Sequence, residues 1–210
     1  MTDMSAQFTN WFRVFLLYLI STAGLISATG TAGAENQPDA GMFLVATPDL
    51  ENSGFSETVI LLVQHDEHGT MGLVINRPSD VEIAALWPDV SDLSELDGRL
   101  YIGGPVATYG VMLLLRSKVA PTNAEHVFAD VYASGSRELL LEMTQTGVDS
   151  TTIRLYAGHA GWSPGQLDYE ISRGSWQVLP ASESMIFSDE PASIWRRLAP
   201  VGRPVIVMAH

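Results

Sequence analysis

The feature that most constrains the fold is a pair of apolar segments separated by a polar turn. Thr58–Gln64 reads TVILLVQ, Met71–Ile75 reads MGLVI, and the turn lies around His65–Gly69. Continuous apolar segments rich in β-branched residues are typical of strands that are buried on both faces. We therefore predict a β-hairpin inside the core, with other elements covering both of its faces.

Shorter segments on either side of the hairpin have strand or helix patterns. Pro78 follows the second apolar segment and indicates the end of that strand, because proline has no N–H to donate. The chain of 210 residues is thus predicted to form one mixed α and β domain. We predict further strands at Met42–Ala46, Leu100–Ile102, Val111–Leu115, Val127–Tyr132, Ile153–Ala157 and Trp176–Leu179, and helices at Ile83–Trp87, Glu138–Met143, from Gln166 to about Ile171, and at Pro191–Leu198.

The amino-terminal segment predicts export. Val14–Ile26 is apolar over 13 residues, fewer than the roughly 20 that a spanning helix needs, and matches the central part of a signal peptide. Ala32-Gly33-Ala34 supplies a small-residue cleavage site. We predict a signal peptide at residues 1–34, a linker at 35–40 and one domain at 41–210. An uncleaved leader that anchors the domain to a membrane is the alternative; no stable span is expected if the leader is cleaved.

The charge and the cysteine content exclude several classes of function. The chain has 24 acidic and 11 basic residues, a formal net charge of −13, and no cysteine. Neutralising phosphates requires clustered Lys and Arg, so direct nucleic-acid binding is not expected. Disulfides, thiolate nucleophiles and cysteine metal sites are excluded. The expected partner is a protein or a small ligand.

Three motifs resemble those of the YqgE/AlgH family in identity and order. They are Gly72–Pro78, Tyr101–Val106 and Ala160–Leu167, and the likeness covers roughly residues 41–198. The resemblance implies an α+β fold, with a single compact domain containing a small β-barrel or bifurcated sheet surrounded by helices.

The resemblance implies less about function. Members of the family are mostly uncharacterised, and some carry the label of transcriptional regulator. They are typically soluble cytoplasmic proteins without a leader, so residues 1–34 and the apolar tail Pro204–Ala209 depart from the family pattern. An exported protein cannot meet the chromosome, and regulation of transcription therefore requires that the leader prediction fails.

Gly161-Trp162-Ser163-Pro164-Gly165 matches the G-x-S-x-G pattern of a hydrolase nucleophile elbow. In that elbow the residue after the serine donates its backbone N–H to the oxyanion, and Pro164 has none. The same residues suit a helix start, with Ser163 as N-cap, Pro164 at N1 and Gln166 at N3 completing a capping box. We favour the structural cap over the nucleophile, and Ser163→Ala should then cost about 1 kcal/mol of stability.

The histidines do not suggest a complete catalytic or metal site. His65 and His68 flank Asp66 and Glu67, but no further histidines supply the ligands that a metal requires, so we interpret them as a solvated turn. His159 is interpreted as hydrogen-bonded or partly exposed, and a general base is the alternative. We predict no catalytic residue, no metal and no cofactor.

Arg77 is of interest because the chain has few cations. We favour a structural ion pair with one of the acids, and binding of a carboxylate or phosphate is the alternative. Asn76 is expected to bond local backbone. The helix start at Pro164 offers N–H groups that suit a small anion. The candidate ligand or partner surface comprises Asn76, Arg77, Gly103, Gly104, Pro105, Gly161, Trp162, Gly165 and Gln166.

The motifs are rich in Gly, Pro, Asn, Trp and Gln, which shape and pack the backbone, whereas acid–base chemistry needs paired titratable groups. We therefore expect a non-catalytic binding or regulatory module that acts after export, in the periplasm or as a secreted protein. The alternatives are a cytoplasmic transcriptional regulator, as the family label suggests, and a serine hydrolase that uses Ser163.

Overall fold

A computed structural model describes residues 37–87, 98–145 and 152–199. The predicted signal peptide at 1–34, the first residues of the predicted linker and the apolar tail Pro204–Ala209 lie outside the described residues. Within the described ranges, no helix is long and apolar enough to cross a membrane.

The described residues form a ten-stranded sheet, in which the predicted hairpin is confirmed as β2 and β3. The apolar segments Val59–Val63 and Gly72–Val74 are buried, as their sequences indicate, whereas most residues nearer the turn are half-buried or exposed. The strands are β1 Met42–Ala46, β2 Val59–Asp66, β3 Gly69–Val74, β4 Pro78–Glu82, β5 Arg99–Ile102, β6 Val106–Arg116, β7 Glu125–Phe128, β8 Val131–Ser134, β9 Ile153–Trp162 and β10 Trp176–Pro180.

The long strand β9 is the branch point of the sheet. The strands pair in the order β10-β1-β2-β3-β9-β6-β8-β7, while β5 pairs with β9 and with β4 off this path. One edge of β9 pairs with β6, and its other edge pairs first with β5 and then with β3. The β5–β9 pair is parallel and the other pairs are antiparallel.

The helices are short and lie at the margins of the sheet. They are α1 Arg137–Gln145, α2 Gln166–Ser172, α3 Glu183–Ile186 and α4 Ile194–Leu198, with 3₁₀ turns at Pro48–Leu50, Ile83–Leu86 and Pro191–Ser193. The helix predicted at Ile83–Trp87 is instead a 3₁₀ turn over Ile83–Leu86. The helix predicted at Pro191–Leu198 is helical over that range, as a 3₁₀ turn followed directly by α4.

Two strand predictions need correction, and the strand β4, which follows the end of β3 at Val74, was not predicted. The strand predicted at Val127–Tyr132 is two strands, because Ala129 takes a left-handed φ of 44° in the turn between them. The strand predicted to end at Ala157 continues to Trp162 through Gly158, which has a φ of 66° and lies where the register with β6 shifts. Pro78 is the first residue of the edge strand β4. Proline is tolerated there because an edge position does not require a backbone N–H to donate to a neighbouring strand.

The sheet curls around its largest apolar cluster. Buried side chains from every strand except β4 and β10 join this cluster, although β1 and β7 lie near opposite ends of the pairing order. The two ends approach each other just before β1, where a Cβ at Gly41 would lie 2.6 Å from Cβ of Phe128. Glu183 of α3 accepts the backbone N–H of Asp130 at 3.4 Å and lies 3.9 Å from Arg116. Helix α3 thus packs at the gap between the ends of the sheet.

The outer face of the sheet carries two smaller apolar clusters. Leu139 and Leu140 of α1 pack with β5, β6 and the first half of β9. Leu167 of α2 packs with the hairpin, β1, β10 and the end of β9. Elements therefore cover both faces of the hairpin, and the mixed α and β composition agrees with the predicted class.

Candidate functional site

Asn76 and Arg77 hold the loop that connects β1 to β2. The Asn76 side chain is buried; its Oδ1 accepts the Val59 N–H at 2.9 Å and its Nδ2 donates to the Glu57 carbonyl at 2.9 Å. Both polar atoms of the amide thus bond to backbone, as we expected for this asparagine.

Arg77 bonds to the same loop, at residues that precede Glu57. Its Nη1 donates to the Gly54 carbonyl at 2.7 Å and its Nη2 to the Ser56 carbonyl at 2.9 Å. Among the described residues, Arg77 bonds to two backbone carbonyls and forms no ion pair, which corrects the favoured expectation of a structural pair with an acid. Burial lowers the pKa of Arg77 below its ordinary value. The half-buried guanidinium fixes the loop on both sides of Phe55.

Phe55 packs on two tryptophans. Its ring is stacked on Trp162 with a centroid distance of 6.5 Å and meets Trp176 edge-on at 5.8 Å. The two indoles meet each other edge-on at 6.1 Å. These arrangements are the favourable ones for aromatic pairs. We call Phe55, Trp162 and Trp176 the aromatic cluster.

One carboxylate, that of Glu170 on α2, joins the aromatic cluster to the third motif. Its Oε2 accepts the indole N–H of Trp162 at 2.9 Å and that of Trp176 at 2.8 Å. Its Oε1 accepts Nε2 of Gln166 at 3.0 Å. The indoles are almost fully buried, so the carboxylate satisfies donors that would otherwise lack a partner.

Sequence reasoning missed Phe55 and Glu170 as members of this site. The available signal was the spacing of Gln166 and Glu170, which places their side chains together on one helix face. Phe55 gave no such signal, because it comes from a loop whose course depends on Arg77.

The start of α2 differs from the predicted capping box. The helix begins at Gln166, and Gly165 precedes it with a left-handed φ of 74°. Ser163 is therefore not the side-chain cap, and Pro164 is not the first helical residue. Half of the box is present, because Gln166 Oε1 accepts the Ser163 backbone N–H at 3.1 Å. That N–H, one of the donors a small anion would need, is already used.

Gly103 and Gly104 let β5 continue closely along β9. Gly103 donates to the Ala157 carbonyl at 2.8 Å and accepts the Val74 N–H at 2.9 Å, so it connects β9 to the hairpin. A Cβ at Gly104 would overlap the backbone of His159 and Ala160. Glycine is required here by close backbone approach. Pro105, next in the motif, is exposed.

Ser163 and His159 do not form a nucleophile–base pair in this arrangement. Ser163 is exposed, and its hydroxyl makes no hydrogen bond within the described part of the chain. His159 is half-buried in β9, and burial lowers its pKa. A Cβ at Gly161, also exposed, would lie 3.8 Å from His159 Nε2, so the ring lies along its own strand beside Gly161.

His65 and His68 lie at the tip of the hairpin. The Nδ1 of His65 is 2.7 Å from Oγ1 of Thr70, and the backbone N–H of His68 donates to Asp66 Oδ1 at 2.7 Å. The His68 ring lies 3.8 Å from Glu67, and both side chains are exposed. Across residues 37–87, 98–145 and 152–199 there is no group of three or more His, Asp or Glu side chains arranged to hold a metal.

Comparison with known proteins gives a consistent set of relatives. The family DUF179, described as AlgH-like, matches residues 43–201. A UPF0301 protein of Chlorobium luteolum is 35% identical over 159 residues, which are 75% of this chain and 82% of the relative. A UPF0301 protein of Streptomyces coelicolor is 34% identical over 164 residues, covering 75% of this chain and 83% of the relative.

Two solved structures are also similar. The solution structure of the AlgH protein from Pseudomonas aeruginosa, a UPF0301 protein, matches with a TM-score of 0.62 and 32% identity over 76% of this chain and 85% of that one. A crystal structure of a protein from Corynebacterium diphtheriae matches with a TM-score of 0.63 and 28% identity, over 79% and 88% respectively.

Proposed function

Because the chain belongs to the AlgH-like family, whose relatives above carry names that state no reaction, we propose a function from the site: a non-catalytic binding or regulatory module that acts after export. We further propose that the curled sheet, with α3 at its gap, is the small barrel that the family resemblance implies.

The non-catalytic proposal is supported chiefly by the hydrogen bonds that the polar side chains of the motifs form within the protein. Asn76 and Arg77 bond to loop carbonyls, and Gln166 bonds to Ser163 and Glu170. Groups engaged in this way position backbone and aromatic rings. Acid–base catalysis instead requires a titratable pair aimed at a reacting atom.

Action after export rests on the leader, with its apolar segment and small-residue cleavage site. Fractionation of cells that produce the full chain, followed by mass measurement of the purified protein, tests it. We expect periplasmic or secreted protein whose first residue is at or near Glu35. Recovery with an intact Met1 or Met4 would contradict cleavage, and recovery in the cytosol with transcription machinery would favour the regulator alternative.

The binding role is tested by cross-linking in intact cells followed by affinity purification. We expect a recurring protein of the envelope, and the same protein should be captured by the Ser163→Ala variant. A serine hydrolase makes the opposite prediction: turnover of small esters by the wild type that disappears in Ser163→Ala while the fold, followed by circular dichroism, is unchanged. That result would overturn the non-catalytic proposal.

A further inference from the structure

Arg77 keeps unused donors beside the loop that it holds. A guanidinium carries five N–H groups and cannot accept hydrogen bonds. Within residues 37–87, 98–145 and 152–199, Arg77 donates one to the Gly54 carbonyl and one to the Ser56 carbonyl, which leaves three. Both acceptors are neutral, and the positive charge is therefore not offset by its partners within the described residues.

The guanidinium of Arg77 is partly accessible to solvent. Arg77 is half-buried rather than enclosed, and its bond to the Gly54 carbonyl is exposed. The guanidinium thus combines a fixed orientation, set by two backbone bonds, with partial exposure to solvent.

A held guanidinium of this kind suits an oxyanion. Its planar donors match the oxygens of a carboxylate or phosphate, and less side-chain entropy is lost on binding when the group is already oriented. From this geometry we infer that Arg77 binds an oxyanion, either a free ion or a carboxylate on a partner, at the exposed edge of the loop containing Phe55. The inference deepens the proposed binding role and rests on it.

Arginine side-chain NMR tests the site on the intact folded protein. The Nε–H resonances of Arg77 and Arg99 are followed while sodium phosphate or sodium acetate is added at constant ionic strength. Arg99 is the matched control, because it is an exposed arginine whose guanidinium already faces Asp80 at 3.1 Å. We expect a saturable shift for Arg77 and at most a weak, non-saturating shift for Arg99. Saturation by phosphate alone identifies a phosphate site, and saturation by acetate identifies a carboxylate site such as a partner's acidic side chain.

Arg77→Lys and Arg99→Lys provide the variant arm. Because Arg77→Lys removes the Arg77 resonance, binding in the wild type and the variants is followed by the backbone amide resonances of Gly54 and Ser56, whose carbonyls Arg77 bonds. Lysine keeps the charge but loses the planar donors, so Arg77→Lys should weaken binding roughly 10-fold or more, as expected for one lost charge-assisted bond. Arg99→Lys should bind as the wild type does. Parallel, non-saturating shifts of both wild-type resonances with both salts would overturn the inference, whether or not the variants fold. If such non-saturating shifts were found and an envelope protein were still captured, the oxyanion site at Arg77 would be rejected and the proposed binding role would be retained.

Discussion

Glu170→Ala is the sharpest test of how the third motif is built. The carboxylate is the hydrogen-bond acceptor for two buried indole N–H groups, those of Trp162 and Trp176. Truncation to alanine removes the acceptor from both at once and leaves the two indoles in place. The expected result is a loss of folding stability much larger than that for an ordinary surface acid.

The magnitude follows from counting unsatisfied donors. A buried donor left without its partner costs about 1–3 kcal/mol, so two indoles give about 2–6 kcal/mol. Glu170 is only half-buried, and water can enter after truncation, so we expect about 2–4 kcal/mol. Glu170→Gln keeps an acceptor oxygen and should cost about 1 kcal/mol, as for the change from a charged to a neutral hydrogen bond.

Urea unfolding followed by circular dichroism measures the effect, since tryptophan fluorescence would itself change. Asp168→Ala is the matched control: it removes one acid from the same helix, at an exposed position in the first turn, and should cost at most about 1 kcal/mol. If Glu170→Ala and Asp168→Ala destabilise equally, the carboxylate does not hold the two indoles and the reasoning fails.

The remaining predictions concern single positions. Gly104→Ala should destabilise the protein by about 3 kcal/mol or more, because the new Cβ would overlap the backbone of β9 and the φ of Gly104 is 155°. Gly54→Ala, the control, should change stability by less than about 1 kcal/mol, and equal melting temperatures of the two variants would refute the prediction. Ser163→Ala should cost less than about 0.5 kcal/mol, below the value expected for a cap, because its hydroxyl is exposed and unbonded in the described chain; a loss near 1 kcal/mol would restore the cap. The His159 ring should titrate below 6.5 in an NMR pH series. Since the unfolded chain takes up that proton first, stability is lost as the pH falls below about 6.5, and a ring midpoint above 6.5 would contradict the burial.

The sequence correctly predicted the elements that follow from the pattern of apolar residues within a single segment. The buried hairpin and β1 follow from apolar, β-branched segments, and the structure has both. Helix α1, predicted at Glu138–Met143, extends one residue earlier and two residues later. These elements depend on periodicity within a few residues, and only the positions of their ends differ from the prediction.

The misses come from backbone conformations that a non-glycine residue rarely adopts, or from bulges. Ala129 has a φ of 44° and turns the chain within a segment whose sequence has a continuous strand pattern. An alanine side chain gives no indication of a left-handed backbone conformation. We predicted that the strand ends before Gly158, but Gly158 lies at a bulge through which β9 continues. Gly165 takes the left-handed position before α2, which moves the helix start past Ser163.

Most residues of the candidate site were predicted from the sequence, but the contacts that bring them together were not. Asn76, Arg77, Trp162 and Gln166 were named from their motifs, yet the contacts that unite them run through Phe55, which comes from a distant loop. Sequence spacing locates partners on one helix or strand. It does not indicate which loop carbonyls an arginine will meet, since that depends on how the sheet brings β1, β2 and the end of β3 together.

Glu170 and Gln166 hold the aromatic cluster through their hydrogen bonds. Hydrogen exchange of the indole N–H groups of Trp162 and Trp176, measured by NMR on the folded chain, tests this arrangement. Two indole protons bonded to a half-buried Glu170 should exchange slowly in the wild type, and both should become fast together in Glu170→Ala. Fast exchange of either proton in the wild type, or slow exchange that survives loss of the carboxylate, would contradict the account.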